Sequence, residues 1–422
     1  MPYSTESRAA PGTWLAGWLE ACAELDRLQA TNPMLDAVIE EVEGRRIRVG
    51  DRWLIDFASC NYLGLDLDRE VIGAIPGYLD AWGTHPSWSR MLGSPVLYRQ
   101  IETRLTELLG VADVLLLATL THIHASVIPV LADGGTVLVD ARAHKTIWDG
   151  AAIAQARGAG LHRFAHDDPE ALERLLRQGP SAPRLVCMDG INSMTGNPPR
   201  LAEFLALAEA YDALLYVDDA HGFGVIGERG REEPSPYGLR GNGVVRHLGL
   251  GYDRVVLTGG FSKAYSSLLA FVACPTPMKR LLKVTAPPYL YSGPSPIASL
   301  ASALVGLQVN ASRGEELRAM LYGKTRRVLE HLEKLGAATL NRSGFPIVEV
   351  PLADPDDLAR AGAWLFERGI YVTLAFYPGV PRHEVGFRLQ LTAANTNEEV
   401  DELLVVLDEL ADQGLLRTGA GG

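Results

Sequence analysis

The feature that most restricts the fold of this chain is a series of short apolar segments separated by helical ones. Strands this apolar are buried on both faces, and the helices between them return the chain to the same edge of the sheet. The pattern therefore predicts an α/β fold with a mainly parallel sheet covered by helices. The predicted strands are Val114–Leu117, Thr136–Asp140, Arg184–Met188, Leu214–Val217, Arg254–Leu257 and Leu268–Cys274.

Outside this alternation, the chain predicts two further regions. Arg45–Phe57 alternates polar and apolar residues around a Gly-Asp pair, which is typical of a β-hairpin, and Trp14–Leu28 has the apolar spacing of an amphipathic helix. Helices and two strands follow residue 290. We therefore expect an N-terminal helix and hairpin segment at 1–60, a large domain at 61–290 and a small C-terminal domain at 291–422. The remaining predicted elements are the helices Gln100–Leu109, Pro169–Arg177, Leu201–Tyr211, Ile297–Leu335, Leu358–Arg368 and Asn397–Gln413, and the strands Ile347–Val350 and Phe387–Leu391.

Composition excludes several classes of partner. A net charge of −12 without clustered Lys and Arg argues against nucleic acid. No apolar run reaches the ~18–20 residues that cross a bilayer, so no membrane association is expected. The four cysteines are scattered without metal-ligand spacing, which favours a reducing, cytoplasmic setting and predicts no metal site.

A lysine follows one of the predicted strands closely. In Leu257-Thr-Gly-Gly-Phe-Ser-Lys-Ala264, the strand ends in two glycines, and Lys263 comes shortly after them. Desolvation and neighbouring cations lower the pKa of a lysine held at the end of a buried strand, which makes its amine a nucleophile toward aldehydes. The same pattern also occurs in ordinary surface loops, so it does not indicate a function by itself.

A second polar group follows a neighbouring strand. Leu214-Leu-Tyr-Val-Asp-Asp-Ala-His-Gly222 places Asp218 and His221 just beyond it. A carboxylate that faces a pyridine nitrogen keeps that nitrogen protonated and makes the ring an electron sink, which is the usual partner of a pyridoxal-phosphate (PLP) lysine. Because ligands gather at the carboxyl ends of parallel strands, Asp218, Lys263 and Ser193 are expected to converge. The alternative for Asp218 is a helix cap.

Five motifs in this order resemble a known family, the α-oxoamine synthases of PLP fold type I, which includes 8-amino-7-oxononanoate synthase, 2-amino-3-ketobutyrate CoA ligase and serine palmitoyltransferase. The resemblance extends from about Ile47 to about Leu410. It implies a large PLP-binding domain on a mainly parallel seven-stranded sheet and a smaller α+β C-terminal domain. The motifs are Asn61-Tyr-Leu-Gly-Leu65, Asp189-Gly-Ile-Asn-Ser193, Asp218-Asp-Ala-His-Gly222, Phe261-Ser-Lys263 and Arg388-Leu-Gln-Leu-Thr-Ala-Ala394.

The resemblance assigns the catalytic residues. Lys263 would hold the cofactor as a Schiff base and later move the substrate Cα proton. Asp218 would pair with the pyridine nitrogen, and His221 would donate a hydrogen bond to the phenolic oxygen of the ring. His144 would stack on the ring face. The alternative for His144 is a hydrogen-bonded histidine near a strand end.

The resemblance also assigns binding residues for the cofactor. Ser193 would approach the phenolic oxygen, although it could be a plain loop serine. Thr119 and Leu120 would bring backbone N–H groups to the phosphate at a helix N-terminus, and Ser262 is a further phosphate candidate. Ser292 falls in the region that reaches the partner subunit's phosphate in a homodimer with shared active sites.

Two residues are assigned to the substrate. Arg388 would bind the amino-acid carboxylate bidentately, with Asn61 assisting. Arg388 could instead be a surface cation on an edge strand, and Asn61 could stabilise a turn. His122 and His124 would share a face of a strand but diverge on a helix, and metal binding by them is not expected.

The chain departs from the family at several positions around the substrate. Ala264–Ala270 stands where many members have a glycine-rich turn, and Trp88 stands in a segment that is glycine-rich and serine-rich in several members. Thr119-Leu120 replaces a Gly-Phe pair, and Ile123 replaces an asparagine. The type of chemistry is therefore better defined by the sequence than the substrates are, and a specialised pathway is expected.

The predicted activity is a decarboxylative condensation of an α-amino acid with an acyl thioester, carried by CoA or an acyl carrier protein. The product would be an α-amino ketone. Three alternatives are another PLP activity of the same fold, such as an aminotransferase or a retro-aldol lyase, a non-catalytic partner subunit, and a scaffold that binds acyl carriers. The presence of Lys263, Asp218 and His221 together argues against a non-catalytic subunit.

Overall fold

The computed structural model describes residues 17–18, 22, 26, 29–179 and 183–419, and the chain divides into two compact units. The central unit is Cys60–Tyr322, and the terminal unit combines Met1–Ser59 with Gly323–Gly422. The sequence predicts three successive segments with a boundary near 290, whereas this division falls at Tyr322 and groups the two ends of the chain. The predicted helix over Trp14–Leu28 falls for the most part outside the described residues.

The secondary structure follows the predicted alternation. The strands are β1 (Ile39–Glu43), β2 (Arg46–Val49), β3 (Arg52–Asp56), β4 (Asp113–Leu117), β5 (Thr136–Asp140), β6 (Gly160–Phe164), β7 (Arg184–Asp189), β8 (Leu214–Asp218), β9 (Val255–Gly260), β10 (Ala270–Cys274), β11 (Ile347–Pro351), β12 (Ile370–Tyr371), β13 (Thr373–Ala375) and β14 (Gly386–Gln390). The helices are α1 (Arg69–Trp82), α2 (Val96–Leu109), α3 (Leu120–Ala132), α4 (Lys145–Ala156), α5 (Pro169–Gln178), α6 (Leu201–Ala210), α7 (Val244–His247), α8 (Thr276–Thr285), α9 (Pro287–Leu290), α10 (Ile297–Lys334), α11 (Leu358–Glu367) and α12 (Asn397–Asp412).

The central unit is built on a seven-stranded sheet in the order β4-β10-β9-β8-β7-β5-β6. Its neighbours pair in parallel except β10, which is antiparallel to both β4 and β9. The predicted mainly parallel sheet is confirmed. Strand β6 was not among the predicted strands, because it lies at the sheet edge and its sequence Gly-Leu-His-Arg-Phe is largely polar and partly exposed.

The register of the sheet brings several strand ends to one edge. Asp189 at the end of β7 lies beside Asp218 at the end of β8, and Asp218 lies beside Thr258 of β9. Ala270, which begins β10, pairs with both Leu117 and Gly260. The loops after β4, β7, β8 and β9 therefore begin at the same edge, as expected for a ligand site in a sheet of this type.

The loops after β8 and β9 at this edge begin on buried strands and contribute rings to a buried aromatic cluster, which holds them in place. All residues of β5, β9 and β10 are buried, as continuous apolar strands covered on both faces require. Four aromatic rings pack in one cluster next to the lysine loop, with centroid distances of 4.8–6.4 Å. They belong to Phe223, Phe261, Tyr265 and Phe271, which are fully buried.

The long helix α10 confirms the predicted helix over Ile297–Leu335, with one interruption. Arg313 has non-helical dihedral angles (φ −145°, ψ 16°). One turn later the buried guanidinium of Arg318 donates to Asn310 Oδ1 at 2.7 Å and to the Gly224 carbonyl oxygen at 3.1 Å. These bonds tie the helix to the loop that follows Asp218.

The terminal unit joins the two ends of the chain through strand pairing. The hairpin β2–β3, predicted around Gly50-Asp51, is confirmed, and β3 pairs in parallel with β12. A second sheet has the order β11-β14-β13. Helix α12 begins with a capping box between Thr396 and Glu399. Among the described residues, none of the helices combines the length and apolar character that crossing a bilayer requires.

Candidate active site

Lys263 lies in a tight loop directly after β9. The Phe261 N–H donates to the Leu269 carbonyl oxygen at 2.8 Å, and the Ser266 N–H donates to the Lys263 carbonyl oxygen at 3.0 Å. Ser266 has φ +51°, a left-handed conformation that favours glycine. The loop thus keeps the shape of a glycine-rich turn although its residues carry side chains.

Asp218 is a buried, ionised carboxylate at the end of β8. Oδ1 accepts from the Ala220 N–H at 3.0 Å, and Oδ2 lies 3.1 Å from His124 Nε2. Burial raises the pKa of Asp218, but the His124 hydrogen bond and the nearby basic side chains, Lys263 among them, outweigh it, so the pKa is lowered. The same electrostatic coupling shows that Lys263 and His144 lie near this carboxylate.

His144 is held at the N-terminus of α4. Its Nδ1 lies 2.8 Å from Thr146 Oγ1, and its backbone N–H donates to Asp189 Oδ1 at 2.9 Å. Desolvation lowers the pKa of His144, and Lys263 lowers it further against an opposing effect of Asp218. The ring is therefore mostly neutral at pH 7.

His221 is oriented by a tyrosine that the sequence motifs did not single out. The Tyr62 hydroxyl lies 2.7 Å from His221 Nδ1, and both side chains are buried. A phenol that donates to Nδ1 leaves the proton of the neutral ring on Nε2. The pair therefore presents Nε2–H as the donor that the role proposed for His221 needs.

Replacing Tyr62 with phenylalanine tests this orientation. We expect kcat to fall by roughly 3-fold to 10-fold, because one hydrogen bond that fixes His221 is lost while the ring packing stays. The check is steady-state kinetics beside Tyr377→Phe, a tyrosine that is 63% exposed. An unchanged kcat in Tyr62→Phe would show that His221 needs no such support.

The phosphate candidates after β4 and β9 lie close together. Thr119 caps α3 and accepts from the His122 N–H at 3.3 Å. A Cβ atom placed on Gly260 would lie 3.0 Å from Leu120 Cδ1 and 3.5 Å from Ser262 Oγ. Gly260, which has no side chain, therefore lies close to both the first turn of α3 and Ser262. This arrangement suits a phosphate bound at a helix N-terminus.

Three other predicted residues are placed less directly. Ser193 is half-buried in the loop after β7. Asn61 Nδ2 donates to Asp66 Oδ2 at 3.1 Å, which is the turn-stabilising arrangement given above as its alternative. Ser292 is half-buried, and its Oγ donates to the Gly293 carbonyl oxygen at 3.3 Å.

Arg388 belongs to the terminal unit. It lies in the middle of β14, opposite Glu349 of β11 and Thr373 of β13, and is half-buried. A strand between two partners is not an edge, so the surface-cation alternative on an edge strand is wrong. Its role toward a substrate carboxylate stays a prediction.

The structure separates the two histidines of α3. His122 is exposed, whereas His124 is fully buried and contacts Asp218 and Tyr216. The spacing of the two histidines in Thr-His-Ile-His is visible in the sequence. Only the finding that this segment is a helix shows that the two rings point in different directions. In the described part of the chain, no group of three or more His, Cys, Asp or Glu is placed to hold a metal ion.

The residues present fit PLP. The cofactor needs an amine for its aldehyde, an anion for its ring nitrogen and donors for its phosphate. Lys263 supplies the amine, Asp218 is an ionised buried carboxylate electrostatically coupled to it, and the first turn of α3 with Ser262 supplies the donors. Its own basic neighbours keep Asp218 ionised although it is buried, which suits a carboxylate that would meet a protonated ring nitrogen.

Comparisons with known proteins agree with this geometry. The chain matches the family model of class I and II aminotransferases over residues 54–407. It is 31% identical over 383 residues to the 8-amino-7-oxononanoate synthase of Methylobacillus flagellatus, covering 90% of each chain. It is 32% identical over 393 residues to the enzyme of the same name from Stutzerimonas stutzeri, covering 92% of this chain and 95% of that one.

Solved structures give the same result. Serine palmitoyltransferase from Sphingomonas wittichii matches with a TM-score of 0.85 at 25% identity, over 96% of this chain and 99% of that one. A serine palmitoyltransferase with PLP matches with a TM-score of 0.86 at 26% identity, over 95% and 98%. The fold predicted as PLP fold type I is confirmed. The chain belongs to the α-oxoamine synthases of the class I and II aminotransferase family, PLP-dependent acyltransferases that condense an amino acid with an acyl thioester.

Proposed function

We propose that Lys263, Asp218, His221 and His144 form the catalytic group with which this chain condenses an α-amino acid with an acyl thioester and releases the carboxylate as CO2. The observation that supports this most strongly is the ionised Asp218 coupled to Lys263 at the shared edge of β8 and β9. When bound, PLP supplies an electron sink that stabilises negative charge at the amino-acid Cα.

Lys263 has two tasks in this proposal. Its Nζ would hold the cofactor aldehyde in the resting enzyme, and, once the substrate amine has displaced it, the freed amine would take the proton from the substrate Cα. The hydrogen bonds around Ser266 fix the loop backbone, while the side chain stays half-buried and can move. A single amine can therefore serve both as the covalent anchor and as the base.

The other three residues hold the ring. Asp218 keeps the proton on the ring nitrogen, and His221, oriented by Tyr62, donates through Nε2 to the phenolic oxygen. His144 would orient the ring by stacking on it and would donate to the acyl carbonyl oxygen, where negative charge develops. Ser193 is proposed as a second donor to the phenolic oxygen.

The remaining assignments concern the ends of the cofactor and the substrate. Thr119, Leu120 and Ser262 are proposed to bind the phosphate, and Arg388 to bind the amino-acid carboxylate. Arg388 has a buried carboxylate, Glu349, directly opposite it in the sheet, which would orient its guanidinium. Asn61 is proposed to assist Arg388, although its observed partner is Asp66.

The test is a matrix of amino acids and acyl-CoA or acyl-carrier thioesters incubated with the holoenzyme. We expect thiol release and CO2 release in equal amounts for at least one pair. Transfer of the amino group to a 2-oxo acid without thiol release would favour the aminotransferase alternative. Aldehyde release from a β-hydroxy amino acid without thiol release would favour the retro-aldol alternative.

We further propose a homodimer in which Ser292 reaches the partner subunit's site. Two large apolar side chains of the central unit are almost fully exposed, Leu92 at 85% and Tyr291 at 84%, and a partner subunit would cover them. A Cβ atom on Gly293 would lie 3.1 Å from His85 Nε2, so the segments that carry these residues are neighbours. We also place the protein in the cytoplasm, because its four cysteines are free thiols.

Replacing Leu92 with glutamate is expected to weaken the dimer by about 100-fold or more, because a charge would be buried without a partner. Sedimentation over a range of concentrations measures the dissociation constant. Val405→Glu, at an exposed position of α12 in the terminal unit, is the control and should leave it unchanged. If Leu92→Glu dimerises over the same concentration range as the wild type, this surface is not part of the interface.

A further inference from the structure

The strand ends at the active-site edge place three aspartates close together. Asp189 ends β7, Asp218 ends β8, and Asp219 follows it. Desolvation raises the pKa of Asp189 well above its usual range and raises the pKa of Asp219 to about 8, and the charge of Asp218 adds to both effects. Asp218 shows the opposite direction. The environment therefore leaves the negative charge on one of three neighbouring carboxyl groups.

Hydrogen bonding distinguishes Asp218 from the other two. Asp189 accepts from the His144 backbone N–H, and Asp219 accepts from the Val244 backbone N–H at 2.7 Å. Asp218 has an imidazole on Oδ2 at 3.1 Å in addition to its backbone donor. An imidazole nitrogen thus faces the carboxylate proposed to meet the cofactor ring, in addition to the backbone donor.

His124 is itself held by a second buried side chain. Its Nδ1 lies 2.9 Å from the Tyr216 hydroxyl, and the two rings meet edge-on with centroids 5.6 Å apart. Burial and the Asp218 charge raise the pKa of Tyr216 well above its usual range, so the phenol keeps its proton and can donate it to Nδ1. The ring proton then resides on Nε2, facing Asp218.

The position of His124 is fixed by helix packing. A Cβ atom on Gly150 of α4 would lie 2.3 Å from the His124 carbonyl oxygen, so α3 and α4 approach closely at this point. Helix α3 begins at the proposed phosphate site and also carries His124, so one helix contributes to both the phosphate site and the contact with Asp218. The arrangement therefore leaves His124 little freedom to turn away.

We propose that His124 is a positioning residue that keeps the negative charge on Asp218, through the hydrogen-bond chain Tyr216–His124–Asp218. It rests on the proposed role of Asp218 as the partner of the ring nitrogen. His124 touches neither substrate nor cofactor in this scheme. It acts by keeping Asp218 ionised and oriented toward the ring nitrogen, and Asp218 in turn keeps that nitrogen protonated.

The experiment compares His124→Leu, His124→Gln and Asp218→Asn holoenzymes. The main measurement is the pH midpoint of the visible absorbance change of the bound cofactor. A ring that loses its positive charge repels the proton near Lys263 less, so the midpoint should rise by about one pH unit in His124→Leu. The value of kcat should fall by about 10-fold to 100-fold. His124→Gln, which retains an N–H donor, should recover part of both effects.

The control is His247→Asn. His247 is a partly buried histidine of the same unit, and its Nδ1 donates to the Gly227 carbonyl oxygen at 2.9 Å. The pH midpoint of the absorbance change in His247→Asn should equal that of the wild type. If His124→Leu does not fold, Tyr216→Phe replaces it in the test. This variant removes only the hydroxyl group that contacts His124. Its midpoint should move upward by a smaller amount.

The outcomes separate the two proposals. If Asp218→Asn shifts the midpoint but His124→Leu and Tyr216→Phe do not, the role of His124 is overturned while that of Asp218 stands. If Asp218→Asn leaves the midpoint unchanged, the assignment of Asp218 itself fails. An upward shift in all three, with partial recovery in His124→Gln, supports the chain of bonds.

Discussion

Replacing Lys263 with alanine is expected to reduce the release of thiol and CO2 by on the order of 10³-fold or more. The variant loses both the amine that anchors the cofactor and the base proposed to take the Cα proton. It should fold, because backbone hydrogen bonds and the aromatic cluster around Phe261 hold the neighbouring loop. Cofactor should also dialyse out of the variant.

Two measurements check this prediction. The first is turnover of a substrate pair found with the wild-type enzyme. The second is mass spectrometry after borohydride reduction, which should fix the cofactor to the Lys263 peptide of the wild type and not to the variant. Lys334→Ala, at an exposed position near the end of α10, is the matched control. Full turnover by Lys263→Ala would end the assignment of this lysine.

Replacing Asp218 with asparagine is expected to lower kcat by on the order of 10²–10³-fold. The side chain keeps its shape and its bond to the Ala220 N–H, but it loses the charge that holds a proton on the ring nitrogen. The absorbance midpoint should rise, as described for the His124 test. KM for the amino acid should change much less than kcat, because the lost interaction concerns charge that develops during the reaction.

Asp219→Asn is the matched control for Asp218→Asn. The two aspartates are adjacent and both are buried, but the raised pKa of Asp219, about 8, means that its carboxyl group is mostly protonated at pH 7. Asparagine can keep the acceptor for the Val244 N–H. We expect kcat and midpoint near those of the wild type. Equal losses in both variants would indicate a general loss of packing and not a role of the Asp218 charge.

Much of the fold could be predicted because its signals are local. The buried strands read as short apolar runs, and their ends carry the polar residues that the chemistry needs. Strand β6 was missed because an edge strand needs no apolar sequence, and β12 and β13 were missed because they are only two and three residues long. The predicted boundary near 290 lies before the long helix α10, whereas the division at Tyr322 lies within that helix.

The candidate site was predicted less completely than the fold. Lys263 and Asp218 could be found because each follows a strand and parallel strands bring their ends together, whereas His144 was assigned from the resemblance to the family. Tyr62 could not be assigned a partner, since its hydroxyl meets His221 from 159 residues away. The side-chain partners of Asn61 and Ser292 likewise depend on how their turns are built.

The sequence by itself determined that this chain forms a mainly parallel sheet and which polar residues follow its strands, because strand burial and chain order are properties of short segments. Only the tertiary structure decided that Asp189, Asp218 and Thr258 share one register and that His124 turns inward toward Asp218. The charge state of a carboxylate depends on desolvation and on the groups within a few ångströms of it. Those neighbours come from different segments, so their effect exists only once the chain has folded.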